Sequence, residues 1–192
     1  MQALIDRIRT EGQHVGGGIV KLDSFLNHQI DPMLISAMGR EFVERFSAMD
    51  PSTLTKVITA EVSGIPPAFA TADRLGVSMI YARKHRSAVM TDVYFGANAR
   101  SRTKNEEVNL MISRSYLTSS DRVLIIDDFL ATGSTVNALS ELVSASGAVL
   151  AGIGCVIEKP AERGRDRLAG WRVPIEALAR VTVRGDALVV TK

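Results

Sequence analysis

Two adjacent carboxylates, Asp127 and Asp128, close a short apolar run and are followed at once by small and hydroxyl-bearing residues. From Val123 to Thr135 the chain reads Val-Leu-Ile-Ile-Asp-Asp-Phe-Leu-Ala-Thr-Gly-Ser-Thr. This order predicts a buried strand over Val123–Ile126, an acidic pair at its carboxyl end, and a loop that feeds a helix N-terminus. Such termini bind phosphate, because their backbone N–H groups lack partners and the helix dipole favours negative charge. Ala131, Thr132, Gly133, Ser134 and Thr135 suit phosphate binding, since they are small and three of them carry hydroxyls. Carboxylates beside the loop would repel phosphate but accept hydrogen bonds from sugar hydroxyls. A ligand with a phosphate at one end and a vicinal diol at the other, such as a ribose 5-phosphate, satisfies both halves. The competing reading is an ordinary strand–turn–helix whose Asp pair caps the turn. A Walker-type nucleotide site would need Gly-x-x-x-x-Gly-Lys-Ser/Thr, which the chain lacks.

If this loop holds a 5-phosphate, the far end of an activated sugar needs its own anion site. Ser63-Gly64 forms a tight small-residue loop after a predicted strand, with N–H groups that could face an anion. Arg83 and Lys84, within Ala82-Arg83-Lys84-His85-Arg86-Ser87, put cations at the end of another strand. They read either as a pyrophosphate clamp or as a solvated basic face. Polar residues from Asp92 to Glu107 make a long excursion, and loops of that length are commonly lids or binding loops. A lid suits chemistry that develops oxocarbenium character, since water would otherwise compete with the nucleophile. Lys159, at the end of the apolar strand Gly152–Ile157, either donates to a ring carbonyl or snorkels at a strand end. Asn27 offers a donor and an acceptor to a heterocycle edge, or caps a turn. His14, His28 and His85 have no metal-ligand spacing, so no protein-held metal site is expected.

Strands alternating with helices must position these groups. Leu4, Ile5 and Ile8 recur at helical spacing up to Gly12, and Gly16-Gly17-Gly18 leads into a short strand over Ile19–Leu22. Asp31-Pro32 starts a helix whose inner face is Met33, Leu34, Ala37, Met38, Phe42 and Phe46. Then come a strand over Lys56–Ala60, a helix over Pro67–Leu75 stopped by Gly76, and a strand over Val77–Ala82. Met90–Tyr94 and Val108–Ser113 read as strands, and Gly96–Glu107 as an excursion from the sheet. Beyond the acidic pair a helix over Thr135–Ser146 ends at Gly147, before a strand over Ala148–Glu158. The alternation predicts an α/β protein with a mostly parallel sheet covered by helices on both faces. Ligands bind beyond the carboxyl ends of such strands, where the singled-out loops fall.

Bulk properties agree. A chain of 192 residues fits a single domain. With 23 basic and 21 acidic side chains, a net charge of +2 is too balanced to point to nucleic acid or an anionic membrane as partner. One cysteine, Cys155, excludes an internal disulfide, and its apolar surroundings predict a buried, inert thiol. The apolar run Ala148–Ile157 is far short of the ~20 residues a membrane span needs. Acid and base are mixed near the N-terminus, unlike a signal peptide, so a cytoplasmic location is expected.

The stretch Val123–Thr135 resembles the phosphoribosyl pyrophosphate signature of the type I phosphoribosyltransferases, with Ser134 where that family often has a second glycine. Over nearly the whole chain the resemblance is to the bacterial xanthine phosphoribosyltransferases within that family. It is carried by Lys21–Pro32, Glu61-x-Ser63-Gly64, Ala82-Arg83-Lys84-His85, Gly152–Lys159, Gly164-Arg165-Asp166 and Glu176–Arg180. It implies a doubly wound, mostly parallel sheet with a small hood built from about residues 1–35 and part of the C-terminal segment. It also implies transfer of the phosphoribosyl group from phosphoribosyl pyrophosphate to xanthine, releasing xanthosine 5′-monophosphate and pyrophosphate. By resemblance Val20, Asn27 and Lys159 line the purine pocket, Ala131–Thr135 hold the 5-phosphate, and Mg²⁺ is carried mainly by substrate. The family's habit implies a homodimer in which a basic residue reaches the partner's site. Asp127 and Asp128 would fix the ribose hydroxyls, and Lys84 or Arg83 the leaving pyrophosphate. Two alternatives stay open: another 6-oxopurine (guanine or hypoxanthine) as acceptor, or a non-catalytic regulator that senses phosphoribosyl pyrophosphate.

Overall fold

The computed structural model describes residues 1–85, 93–100, 107–185 and 187–192. Ten strands and five helices are seen among them: β1 Gln13–His14, β2 Val20–Lys21, β3 Lys56–Ala60, β4 Ser78–Ala82, β5 Tyr94–Arg100, β6 Glu107–Ser113, β7 Arg122–Leu130, β8 Val149–Glu158, β9 Ile175–Arg184 and β10 Ala187–Thr191, with α1 Gln2–Glu11, α2 Pro32–Arg45, α3 Ile65–Leu75, α4 Ser134–Ala145 and α5 Gly164–Leu168. Six strands form one sheet in the order β10-β9-β8-β7-β3-β4. Neighbours from β9 to β4 run parallel, and β10 closes one edge antiparallel to β9. This is the doubly wound, mostly parallel sheet expected from the alternating pattern.

Central strand β7 shows why both faces are covered. Leu124 and Ile126 pack into a core with α1, α2 and α3, whereas Val123 and Ile125 pack into a second core with α4 and the β5–β6 hairpin. Burial on both sides is what a continuous apolar run in a parallel sheet requires. The β3-α3-β4 and β7-α4-β8 units leave the β3/β7 boundary in opposite directions along the sheet. Strand order reverses there, and a crevice opens between the loops that follow β3 and β7.

Helix α2 begins as predicted: Asp31 Oδ1 accepts hydrogen bonds from the N–H groups of Met33 and Leu34 at 3.0 and 3.1 Å. Such a cap stabilises a helix by ~1 kcal/mol. Its inner face is Leu34, Ile35, Met38, Gly39 and Phe42, with Phe46 beyond the last turn. Met33 was expected on that face but is 77% exposed, because the helical period places it opposite the buried stripe of Leu34, Ile35, Met38 and Phe42. At Gly39 an added Cβ would stand 2.5 Å from the Ala70 carbonyl oxygen, so α2 and α3 meet backbone to backbone. Gly76 ends α3 in the left-handed conformation, φ 68°.

Two expectations about strands change. Strand β7 runs on through Asp127 and Asp128 to Leu130, because Asp127, Phe129 and Leu130 keep their pairing with β8. The excursion after Gly96 is partly regular: β5 and β6 form an antiparallel ladder from Tyr94↔Ser113 to Arg100↔Glu107. Ala97 and Ala99 alternate inward while Asn98 and Asn109 pair on the outer side at 2.9 Å, a period-two pattern hidden by small residues. Of the expected lid and strand, residues 90–92 and 101–106 lie outside the described residues. Near the N-terminus β1 and β2 make a separate antiparallel pair, with Gly16, Gly17 and Gly18 all at positive φ between them. Among the described residues, no helix is long and apolar enough to cross a membrane.

Candidate active site

At the β3/β7 boundary the loops enclose a cavity of about 250 Å³. Of the expected site residues, Ser63, Gly64, Lys84, Asp127, Asp128 and Ala131 to Thr135 all line it. Each wall has a local cause. The loop after β3 turns at Glu61–Gly64, where the Glu61–Val62 peptide bond is cis. Gly64 is required there: an added Cβ would fall on Thr59 Oγ1 and 2.6 Å from Asp127 Oδ1. Glu61 Oε1 accepts the Lys84 backbone N–H at 2.7 Å, which ties the loop after β3 to the end of β4. Ala99, Val108 and Leu110 of the hairpin supply an apolar side.

The loop after β7 enters α4 through Gly133, at φ 78° and ψ 4°. The left-handed angle therefore sits on glycine. Ser134 is the first residue of α4 and is not among the positive-φ residues, so its replacement of a second glycine is sterically comfortable. The N-cap position of α4 is Gly133, which has no side chain to cap the helix, and Ala131 to Thr135 at that end line the cavity.

Asp127 is 3% exposed, and Asp128 is half-buried. Burial pushes the Asp127 carboxyl well above the ordinary carboxylate range, and the neighbouring Asp128 charge pushes it further. Asp128 is raised by burial and partly offset by the Phe129 N–H and the Asn27 amide. The positive charge of Lys84 opposes both shifts. A cationic or hydroxyl-donating ligand between these acids would therefore relieve an existing electrostatic cost. Cys155, fully buried beside them, has its thiol pushed well up by burial and the two acids, in keeping with an inert role.

Of the residues expected at the base, Asn27 lies beside Asp128 and Lys159 beside Phe129, and none of Asn27, Val20 and Lys159 lines this cavity. Asn27 Nδ2 donates to Asp128 Oδ2 at 3.3 Å. Lys159 Nζ donates to the Gly18 carbonyl at 2.9 Å and sits 5.1 Å from the centre of the Phe129 ring. Val20 is buried in β2. Phe129 was not singled out from sequence, because between an acidic pair and a leucine it reads as core. It is only half-buried and lines the cavity, and its position directly after the acidic pair was the available signal. Arg83 is not brought into the cavity. Its backbone bridges Met111, and its side chain lines a different hollow with Tyr81 and Tyr94. One residue along a strand end reverses side-chain direction, which separates Arg83 from Lys84. Among the described residues no group of three or more His, Cys, Asp or Glu side chains could hold a metal ion.

Known proteins resemble this chain in sequence and in fold. A family profile described as the phosphoribosyl transferase domain matches residues 32–182. A xanthine phosphoribosyltransferase of Deinococcus deserti is 47% identical over 99% of this chain and 98% of its own length. A xanthine phosphoribosyltransferase of Lacticaseibacillus casei is 43% identical over 99% of this chain and 97% of its own. In fold, an adenine phosphoribosyltransferase structure from Rhodothermus marinus superposes with a TM-score of 0.75 at 22% identity, covering 94% of this chain and 99% of that one. The chain belongs to the phosphoribosyltransferase family and groups within it with the xanthine phosphoribosyltransferases.

Proposed function

We propose that this enzyme transfers the 5-phosphoribosyl group from phosphoribosyl pyrophosphate to xanthine, giving xanthosine 5′-monophosphate and pyrophosphate. One observation carries the reading: the Asp127–Asp128 pair and the N-terminal end of α4 line the same cavity. The activated sugar needs such a pairing of diol acceptor and anion donor. Ala131–Thr135 take the 5-phosphate, Ser63 and Gly64 the pyrophosphate, and Lys84 the charge that develops as pyrophosphate leaves. Asp127 and Asp128 hold the ribose hydroxyls. Their negative charge favours a transition state whose sugar ring is oxocarbenium-like and more positive than in the ground state.

A purine ring nitrogen bonds to the anomeric carbon as the carbon–oxygen bond to pyrophosphate breaks, with inversion, and the proton that nitrogen loses leaves with pyrophosphate or to solvent. Asn27, Val20 and Lys159 form the base side of the site, with Phe129 as a flat apolar wall. The rise in rate comes mainly from holding the two substrates in line, worth up to about 7–11 kcal/mol. Mg²⁺ fits as a substrate-borne ion, because Glu61, Asp127 and Asp128 offer hard oxygen ligands on the cavity wall without forming a closed cage. When bound it neutralises pyrophosphate charge.

The same reading takes residues 1–192 as one domain whose hood comes from about residues 1–35 and part of the C-terminal segment, acting as a homodimer in the cytoplasm. A panel of xanthine, guanine, hypoxanthine and adenine with phosphoribosyl pyrophosphate and Mg²⁺ tests the activity. Pyrophosphate release should be fastest with xanthine. Preference for guanine or hypoxanthine would reassign the acceptor, and release with none of the four would remove the enzymatic reading.

A further inference from the structure

A five-residue helix lies directly behind the loop at the start of α4. In α5, Gly164 faces Gly133 with no side chain between them: an added Cβ on Gly164 would fall on the Ala131 carbonyl oxygen and 2.8 Å from the Gly133 N. Reciprocally, a Cβ on Gly133 would stand 2.8 Å from the Gly164 carbonyl oxygen. The chain enters α5 through Arg163 at φ 57°, an angle that costs energy for a residue with a Cβ and that surrounding contacts must enforce.

A helix this short does not hold itself together. Arg165 anchors it. Its Nε and Nη2 donate to Glu158 Oε1 and Oε2 at 2.9 and 2.7 Å, and its Nη1 donates to the Ile175 carbonyl at 2.7 Å. Glu158 is 5% exposed and also accepts from Arg180 Nε at 3.2 Å. On the far side, Leu168 is fully buried and Trp171 Nε1 donates to Asn137 Oδ1 on α4 at 3.0 Å. The segment is therefore pinned to the ends of β8 and β9 and to α4, with Gly164 pressed against the loop between.

We infer that Gly164 and Arg165 are positioning residues: the Arg165–Glu158 fork holds the Gly164 backbone against Ala131 and Gly133 and thereby sets the N–H groups that receive the 5-phosphate. The inference rests on the reading of Ala131–Thr135 as the phosphate loop. Neither residue is among those that line the cavity. A shift of the loop by about 1 Å is enough to cost up to about 100-fold in productive binding.

Three variants test it in the full-length enzyme. Gly164→Ala pushes on the loop and leaves the ion pair intact. Glu158→Gln with Arg165→Met removes the fork without stranding a buried charge, the change that such pairs tolerate best. Arg165→Lys keeps the charge but loses the two-pronged geometry. The expected result is a KM for phosphoribosyl pyrophosphate raised about tenfold or more in the first two and less in the third. Inhibition by xanthosine 5′-monophosphate should weaken in parallel, while the KM for xanthine stays within about twofold. Loss of folding alone would lower the active fraction without splitting the two KM values, and Arg165→Lys retains the charge balance needed to fold. Unchanged KM for phosphoribosyl pyrophosphate in Gly164→Ala and Arg165→Lys, with normal wild-type turnover, would overturn this inference and leave the enzymatic reading standing. No turnover by the wild-type enzyme would overturn both.

Discussion

The two ends of the proposed site are built differently. On the proposed reading the anion end is contiguous in sequence and made largely of backbone: Ala131 to Thr135 follow one another, with the N–H groups at the start of α4 as donors. At the base end, side chains and a carbonyl come from far apart in the chain. Asn27 reaches Asp128 across 101 positions, and Lys159 reaches Gly18 across 141. A phosphate is the same in every substrate of such an enzyme, so a rigid backbone cradle serves it. A purine edge must be told from its near relatives, and adjustable side chains carried on separate segments can do that.

The carboxylate pair stands where the two ends meet and should give the largest effect. Asp128→Asn keeps the shape but removes the charge that favours the transition state, and kcat should fall by about 100-fold or more. Wild-type-like kcat would show that the pair belongs to neither end. Next comes the backbone cradle. Gly133→Ala forces a Cβ onto a residue at φ 78° and towards the Gly164 carbonyl, so the KM for phosphoribosyl pyrophosphate should rise about tenfold. A rise confined to the KM for xanthine would erase the contrast between the ends. Lys159→Ala should raise the KM for xanthine by about tenfold and flatten the preference among purines, with little change for phosphoribosyl pyrophosphate. An unchanged preference would take Lys159 out of base recognition.

The smallest expected effect concerns stability. Asp127 has its pKa raised in the folded protein, so the native state binds more protons than the unfolded chain in the window from the ordinary carboxyl range up to the raised value. Its contribution to stability is thus present at low pH and is lost as pH rises through that window. Asp127→Asn, which cannot ionise, should be more stable than wild type at neutral pH, and the difference should shrink on acidification. Thermal melts at several pH values read this directly; a difference independent of pH would show that burial of the Asp127 charge is not the cause.

The same contrast explains what was legible in the sequence. That Ala131–Thr135 and the acidic pair share one cavity was readable because these residues are neighbours in sequence. Asp31-Pro32, Gly76 and the apolar run before Asp127 likewise punctuate the chain locally, and the elements they mark are present. Where tertiary pairing decides, local reading stopped short. Asp127–Leu130 looked like the end of a strand, yet pairing with β8 extends it. Ala97 and Ala99 concealed an alternating strand because small residues give a weak hydrophobic signal. Ile175–Arg184 and Ala187–Thr191 form the edge of the sheet, and Val181, Val183, Val189 and Val190 were the β-branched signal available there. Arg83 and Lys84 looked equivalent, since their opposite placement depends on which side of a strand end faces the cavity.

A crystal structure with ribose 5-phosphate bound tests the central claim most directly. The phosphate should accept hydrogen bonds from the N–H groups of Thr132 to Thr135, with the two ring hydroxyls on the carboxylates of Asp127 and Asp128. A sugar phosphate bound elsewhere, or bound here with its phosphate turned towards Ser63 and Gly64, would contradict the account.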